Sequence, residues 1–293
     1  MKYLKELLLL KQIRGIGKQR INTKYLQFIE SGIEEVLRGE RSEMELSLAK
    51  ERADALYEKI IGCNALTAIT IFDEEYPEPL KIMKAKTPPI IYVRGNASVI
   101  RGIAVVGTRQ PSEHSVKVER KLVKKILDIS TDATIISGLA IGCDKIAHEV
   151  TVENKRRTVA VLPSGVMNVT PASHRELAER ILQEDGCLLS EYEPWEGANR
   201  YTFVDRDAVI AAMSEGVIAI ECSKKSGTMH TVDAGVEYGR KIGCYMPKDM
   251  ALGEYDGNVD MVERKGAVPL YDTEELSEFL RSSSSDVVSG ELI

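Results

Sequence analysis

The amino-acid sequence predicts an α/β protein: a doubly wound, mostly parallel sheet preceded by a small N-terminal helical domain. From about residue 102 onward, short apolar runs alternate with stretches of helical periodicity, which is typical of a sheet covered by helices on both faces. Small residues follow several of these runs, as in Gly107-Thr108-Arg109 and Ser137-Gly138. Because open α/β sheets bind ligands at the carboxyl ends of their strands, these turns also indicate a site.

Residues 1–62 are predicted to form the helical domain. Leu4, Leu7 and Leu8 share one helix face, Gly15-Ile16-Gly17 interrupts the pattern, and a charged helix with an apolar stripe covers about Glu43–Ile60. Two short helices joined by such a turn are typical of a helix-hairpin-helix that clamps a DNA backbone. A SAM-like helical bundle with a tight turn has the same pattern and is the simpler interpretation.

Residues 63–101 are predicted to bridge the helices and the sheet. Leu66–Ile71 and Ile90–Asn96 have the composition of strands. Tyr76-Pro77 and Thr87-Pro88-Pro89 lie between them and cannot be helix interior, because proline lacks the amide donor and restricts its neighbour.

The main domain is predicted over residues 102–280. Its expected strands are Ile103–Val106, Thr134–Ile136, Thr158–Leu162, Cys187–Leu189, Val217–Ile220, Ile242–Met246 and one near Val268–Tyr271. Its expected helices are near 113–129, 145–153, 173–184, 205–214 and 229–240, followed by a loop with Gly257-Asn258 and a short helix. Residues 281–293 contain the run Ser282–Ser285 and are predicted to be a disordered tail.

Composition narrows the classes of function. The chain has 293 residues and a formal net charge of −6, which argues against coating duplex DNA by net charge but allows a local basic groove. The five cysteines form no Cys-x-x-Cys pair, so buried free thiols in a reducing cytoplasm are expected. The four histidines lack metal-ligand spacing, and the leucine run Leu7–Leu10 is too short to span a membrane. We therefore expect a cytoplasmic protein without a metal or other cofactor.

The turn Gly107-Thr108-Arg109 is a candidate phosphate site, with Ser112 just beyond it. Glycine allows backbone amides to approach a ligand, Thr108 adds a hydroxyl, and the Arg109 guanidinium matches a phosphate. A surface arginine paired with a carboxylate is the alternative. The segment lacks the Gly-x-Gly-x-x-Gly fingerprint, which disfavours a nicotinamide enzyme.

Two further turns are predicted to open helices whose N-termini attract anions. They are Ser137-Gly138 and Ser226-Gly227-Thr228, and an ordinary helix cap is the alternative for the second. Gly165 also follows a predicted strand. Four small-residue turns at strand ends suggest one shared site.

Phe203 and Arg206 form the next candidate pair, in a segment expected to be a loop. An aromatic ring beside an arginine can stack on a base and pair with its phosphate, whereas an aromatic plug on the core is the alternative. Asp144 and His148 could form an acid–base pair, but an acidic residue near a helix start more often stabilises the helix. Glu191 is a further polar candidate. These segments yield no convincing nucleophile–base–orienter set, so no catalytic residue is predicted.

In their order along the chain, these segments resemble the DNA processing protein A (DprA, or Smf) family, the recombination mediators of bacterial transformation. The resemblance spans about Leu66 to Tyr271. Its motifs are Ala104–Arg109 with Ser112, Ile136–Ala140 through Ala147-His148, Ala160–Leu162 with Gly165 and Pro171, Leu189–Glu191, Phe203 with Arg206 and Ser214, Glu221 through Ser226-Gly227-Thr228 with Thr231 and Ala234, Gly239-Arg240 to Pro247, and upstream Tyr76-Pro77, Leu80, Pro88, Tyr92 and Gly95-Asn96.

The resemblance implies an extended Rossmann-like domain that binds and protects single-stranded DNA, forms a homodimer and helps to load a RecA-type recombinase, without catalysis. By position, Gly107, Thr108, Arg109, Ser137 and Gly138 would hold phosphate. Phe203 would stack on a base, and Arg206 would contact the backbone.

One motif departs from the family. The family typically reads Phe-Pro-x-Arg-Asn-Arg where this chain has Phe203-Val204-Asp205-Arg206-Asp207-Ala208. Losing a cation and gaining an anion is expected to weaken binding to a polyanion. A sensor of a nucleotide or nucleotide-derived signal in the same crevice is therefore the alternative function, with a nucleotide hydrolase ranked last. Basic segments near the crevice would favour DNA, and the candidates are Lys155–Arg157, Lys224-Lys225 and Arg240-Lys241.

Overall fold

The computed structural model describes residues 1–33, 37, 41–99 and 102–285. Its helices are α1 Leu4–Gln12, α2 Lys18–Ser31, α3 Glu43–Ile61, α4 Glu113–Ile129, α5 Cys143–Glu153, α6 Arg175–Gln183, α7 Arg200–Met213, α8 Thr228–Glu237, α9 Asp256–Lys265 and α10 Thr273–Ser285. Its strands are β1 Thr67–Thr70, β2 Ile90–Gly95, β3 Gly102–Val106, β4 Ile135–Ser137, β5 Thr158–Val161, β6 Cys187–Ser190, β7 Ser214–Ala219, β8 Lys241–Tyr245 and β9 Val268–Leu270. Short 3₁₀ segments are Glu78–Lys86, Ala97–Val99, Ala172–His174 and Met250–Leu252.

One nine-stranded sheet organises these elements, in the order β1-β2-β6-β5-β4-β3-β7-β8-β9. β3 to β9 pair in parallel, whereas β1 and β2 extend the β6 side with antiparallel pairing. The chain winds outward from β3 to β6, returns, and winds the other way from β7 to β9. The predicted fold class, a doubly wound and mostly parallel α/β sheet, is confirmed.

The central strands match their predictions because they are buried on both faces and bounded by turn residues. Every residue of β3, β4, β5 and β6 is buried. α4 coincides with the predicted range, because Ser112 caps it by accepting a hydrogen bond from the Ser115 amide. The start of α7 was predicted too late. Asn199 and Thr202 form a reciprocal capping box there, so the helix begins at Arg200.

The N-terminal helices pack on one face of the sheet, over the half formed by β1, β2, β6 and β5. Leu4, Leu7 and Leu8 are buried as predicted, in a cluster that also holds Ala160 of β5 and Leu188 of β6. Residues 1–62 and the main domain thus share a hydrophobic core, and their division into domains stays a prediction.

The turn between α1 and α2 lies beside the segment that follows β6, although Gly15 and Gly17 in it are exposed. Lys11 donates a hydrogen bond from Nζ to the Glu191 carbonyl at 3.2 Å. Lys18 pairs with the Glu191 carboxylate at 3.0 Å and with Asp205 at 3.6 Å. These two lysines are engaged within the molecule, which favours the bundle interpretation over a DNA-clamping hairpin.

Two predictions near the C-terminus are wrong. Gly257 and Asn258 lie in α9 and not in a loop, because the buried Asn258 amide donates hydrogen bonds at 2.8 Å to the carbonyls of Ile220 and Tyr245. Ser282–Ser285 continue α10, whose Phe279 packs in the core. The remainder of the predicted tail, residues 286–293, lies outside the described residues. Within the described part of the chain, no helix has both the length and the apolar character needed to span a membrane.

A carboxyl group is buried between α4 and the start of α5. Glu119 of α4 has no exposed surface, and Cys143 at the start of α5 lies beside it. Burial raises the pKa of Glu119 well above its usual value, and the nearby Asp144 charge adds to this effect, whereas the neighbouring Cys143 thiol opposes it. Glu119 therefore keeps its proton up to a higher pH in the folded protein than in the unfolded chain.

We expect Glu119→Gln to stabilise the protein at neutral pH but not below pH 4. The unfolded state ionises Glu119 at a lower pH than the folded state does. As the pH rises from the unfolded-state pKa to the folded-state pKa, the free energy of unfolding therefore falls by up to about 1.4 kcal/mol per pH unit. Glutamine cannot ionise, so the Glu119→Gln variant does not lose this stability. Urea denaturation at neutral pH and below pH 4 measures the free energies of unfolding of both proteins. A difference between them that does not change with pH would contradict the raised pKa of Glu119.

Candidate functional site

A cleft of about 720 Å³ opens at the carboxyl edge of the sheet, beside the ends of β3 and β7. The strand order reverses at this point, because the chain leaves β3 on one side and returns to β7 on the other. Two of the predicted turns and the predicted aromatic pair meet here. The sequence-predicted residues in its wall are Gly107, Thr108, Arg109, Phe203, Arg206, Ser226, Gly227 and Thr228.

The turn after β3 is fixed between the end of β7 and the start of α5. The Thr108 amide donates to the Glu221 carbonyl at 2.8 Å, and the Thr108 carbonyl accepts from the Cys143 amide at 3.1 Å. A Cβ atom on Gly107 would lie 2.5 Å from Cys143 Sγ, so this packing requires glycine. The rigid turn leaves Arg109 exposed at the mouth of the cleft.

Phe203 stands at the cleft between two guanidinium groups. The Arg109 Cζ atom lies 5.3 Å from the centroid of the Phe203 ring, and the Arg206 Cζ atom lies 6.0 Å from it. These are cation–π distances. Because α7 begins at Arg200, Phe203 and Arg206 are held on a helix rather than in the predicted loop.

Arg206 is the charged floor of the cleft, with a relative exposure of only 4%. Its Nε atom lies 3.0 Å from Asp207 Oδ1, and its Nη1 atom lies 3.7 Å from Asp144 Oδ2. Nη1 also donates to the Val161 carbonyl at 3.3 Å. The guanidinium occupies the space over Gly138, where a Cβ atom would lie 1.4 Å from Nη1. Gly138 therefore accommodates the protein's own cation.

The expectation that Ser137-Gly138 opens a helix is wrong. α5 begins only at Cys143, after a turn in which Leu139 has a φ of 58° and Gly142 a φ of 84°. The buried Ser137 hydroxyl donates to the Val105 carbonyl at 2.7 Å. Asp144 accepts a hydrogen bond from the Ala140 amide at 3.3 Å. An amide of this turn is therefore bound by a carboxylate of the protein itself.

Ser112 lies behind the cleft wall. Its amide and its hydroxyl both donate to Glu221 Oε2 at 2.8 Å. Burial alone would raise the pKa of Glu221, but hydrogen bonds from the Glu254 amide and from Ser112 hold that pKa below its usual value. The pair joins the N-terminus of α4 to the end of β7.

Ser226-Gly227-Thr228 forms the cleft wall at the start of α8. The Thr228 amide donates to Ser226 Oγ at 3.1 Å, and Ser226 Oγ donates to Thr228 Oγ1 at 3.0 Å. The segment thus serves as a helix cap and also lines the cleft. Gly165 is absent from the described lining and packs against the backbone of Glu193 and Pro194. The expectation that all four turns form one site is wrong for Gly165 and for Ser137-Gly138.

The candidate acid–base groups have structural partners. His148 is buried, and its Nδ1 atom lies 2.7 Å from Thr158 Oγ1. Burial, together with the nearby His174 ring and Arg206 guanidinium, lowers the pKa of His148 to about 3, so the His148 ring is neutral. Glu191 pairs with Lys18, although burial raises its pKa.

Several lining residues were not proposed from the sequence, above all Arg200 and His230. His230 follows Thr228 by two positions on α8, so its closeness to that predicted turn was the available signal. Counted together, the three lining arginines and two lining aspartates give a formal charge of +1 with His230 neutral. The cleft is therefore only weakly cationic.

The basic segments fall on opposite edges of the sheet. Lys224-Lys225 follow β7 and are exposed near the cleft, where Ser223 belongs to its lining. Lys155–Arg157 precede β5, and Arg240-Lys241 stand at the start of β8, so both lie at the amino edge. Of the three candidates, Lys224-Lys225 alone could extend a binding surface from the cleft.

The chain is similar to known DNA-processing proteins. The family model for DNA recombination-mediator protein A matches residues 67–281. The DNA processing protein DprA of Bacillus subtilis is 27% identical over 249 residues, which cover 82% of each chain. The protein Smf of Synechocystis is 31% identical over 71% of this chain and 53% of its own length.

Solved structures agree in fold. The X-ray structure of DprA from Streptococcus pneumoniae has a TM-score of 0.78 and 25% identity, with 99% of this chain and 98% of that one covered. The DNA processing protein A of Helicobacter pylori, a protein that binds single-stranded DNA, has a TM-score of 0.65 and 23% identity over 74% of this chain and 96% of its own.

We expect Gly138→Ala to destabilise the protein by about 3 kcal/mol, because its methyl group would displace the buried Arg206 guanidinium. Gly227→Ala is the matched control in the same cleft, since a Cβ atom there meets no atom within 4 Å. Its cost should stay below about 1 kcal/mol. Urea denaturation compares the two variants, and equal losses would contradict the proposed packing of Arg206 over Gly138.

Proposed function

The chain belongs to the DNA recombination-mediator protein A family, and on that premise we propose that it is a recombination mediator that binds single-stranded DNA in the cleft beside β3 and β7. The observation that carries the proposal is the Phe203 ring with the exposed Arg109 guanidinium 5.3 Å from its centroid. A stacking surface next to a free-standing cation suits a strand whose bases are unpaired.

The two arginines of the cleft have different roles in this proposal. Arg109 is exposed, stands on a rigid turn and can pair with a phosphate. Arg206 is enclosed by Asp144, Asp207 and Gly138. Its main role in the proposal is therefore structural: it holds α7, and thereby the Phe203 ring, in position. Thr108, Ser226, Gly227 and Thr228 supply small polar walls that let a backbone approach.

We also propose the wider role that the family name suggests. A mediator passes single-stranded DNA to a RecA-type recombinase, acts in the cytoplasm and needs no catalysis, cofactor or metal of its own. The two candidate acid–base groups support a binding role, because His148 is buried and neutral, Glu191 is paired with Lys18, and neither belongs to the described lining of the cleft. A homodimer is part of the proposal and can be tested by sedimentation.

A small-nucleotide sensor is the second candidate. The cleft volume of about 720 Å³ lies in the range of small-ligand sites, and its formal charge of +1 is low for a polyanion groove. Carboxylates such as Asp207 can also accept hydrogen bonds from a ribose or a base amino group.

A titration of labelled oligo-dT at about 50 and about 200 mM salt separates the two candidates, because contacts with phosphates give a steep salt dependence. The proposal predicts saturable binding that weakens with salt. Undetectable binding at the lower salt concentration, together with a rise in melting temperature on adding a mono- or dinucleotide, would favour the sensor.

Arg109→Ala should weaken oligo-dT binding about tenfold at low salt and make the slope of log K against log salt shallower by about 0.7, the loss of one phosphate contact. Arg157→Ala is the matched control, since Arg157 is also exposed but pairs with Asp185 at the amino edge of the sheet. It should bind as the unaltered protein does. Unchanged affinity in Arg109→Ala would remove Arg109 from the site.

A further inference from the structure

The wall of the cleft contains the Asp207 carboxylate, whose negative charge repels the phosphates of the proposed ligand. We propose that Asp207 is a specificity-determining residue that keeps the cleft close to neutral, so that removing its charge, by substitution or by protonation, strengthens binding of single-stranded DNA. This inference rests on the proposed function and adds to it a control of affinity by one named side chain.

The position of Asp207 supports a direct effect on the ligand. It lies on α7 in the wall of the cleft, four residues after Phe203, and its side chain is 13% exposed. Its Oδ1 atom lies 3.0 Å from Arg206 Nε, so it neutralises the arginine at the cleft floor. Without the Asp207 charge, the formal charge of the described lining rises from +1 to +2.

Ionisable groups face Asp207 from the elements around it. Arg206 belongs to its own helix, Asp144 lies at the start of α5, His230 lies on α8, and Arg109 follows β3. Burial raises the pKa of Asp207 to about 6, an effect that Arg206 opposes and Asp144 reinforces. The carboxyl group therefore gains a proton just below neutrality rather than in strong acid.

The direction of the pH effect follows from linkage. A bound phosphate disfavours the ionised carboxylate, so the complex takes up a proton more readily than the free protein does. Affinity for DNA should then increase as the pH falls through the pKa of Asp207. His230 also faces the cleft, so its contribution must be separated from that of Asp207. The Asp207→Asn variant does this, because it retains His230.

The test compares Asp207→Asn with Asp205→Asn in oligo-dT titrations at about 50 and about 200 mM salt. The control removes the same charge from the same helix, but Asp205 contacts Lys18 and Tyr192 outside the cleft. We expect Asp207→Asn to bind about fivefold more tightly at low salt, with a slope of log K against log salt steeper by about 0.7. The control should change affinity by less than about twofold.

The pH arm begins with the unaltered protein, whose affinity must increase as the pH falls whether or not the variant folds, and then compares it with Asp207→Asn. Between about pH 7.5 and about pH 5.5 its affinity should increase about fivefold, and Asp207→Asn should gain clearly less. Equal pH dependence in the two proteins, or no gain in affinity from Asp207→Asn, would overturn the role of Asp207. Absence of binding by every variant at low salt would instead overturn the proposed function.

Discussion

The ion pairs of Arg206 are the interaction on which the cleft depends. This guanidinium joins three parts of the chain: it lies over Gly138 after β4, faces Asp144 at the start of α5, and pairs with its neighbour Asp207 on α7. A buried arginine is tolerated only when its charge is compensated, and here two carboxylates and the Val161 carbonyl meet it. The contacts with Gly138, Asp144 and the Val161 carbonyl hold α7 in place, and with it the ring of Phe203.

The opposite side of α7 is fixed by the N-terminal helices. Asp205 accepts a hydrogen bond from the Tyr192 hydroxyl at 3.0 Å and faces Lys18 at 3.6 Å. Asp205 thus connects α7 to α2 and to the segment after β6. Arg206 connects α7 to α5 and to the turn after β4, and Asp207 pairs with Arg206 within α7. The position of the stacking ring is set by the buried contacts of Arg206, while Arg109 stays exposed at the mouth of the cleft to meet a ligand.

Local signals explain which features the sequence predicted. β3 to β6 and α4 follow from apolar runs, small-residue turns and the Ser112 cap, all within a few neighbouring positions. The start of α7 had such a signal in Asn199 and Thr202, which was overlooked. No local pattern reports that Glu221 binds Ser112, 109 positions away, or that Arg206 fills the space over Gly138. The sequence therefore could not show that Ser112, Ser137 and Gly138 contact other parts of the protein, and their binding of phosphate stays a prediction.

The binding site of the strand can be located by crosslinking the protein to a single-stranded oligonucleotide with photoactivatable bases. Mass spectrometry of the attached peptide then identifies the residues in contact with the DNA. If the cleft beside β3 and β7 binds the strand, crosslinks should fall on Phe203 and on the peptide that contains Arg109. Crosslinks confined to the Gly15–Gly17 turn or to Lys155–Arg157 at the amino edge would place the strand elsewhere. That result would contradict the account, however tightly the protein binds DNA.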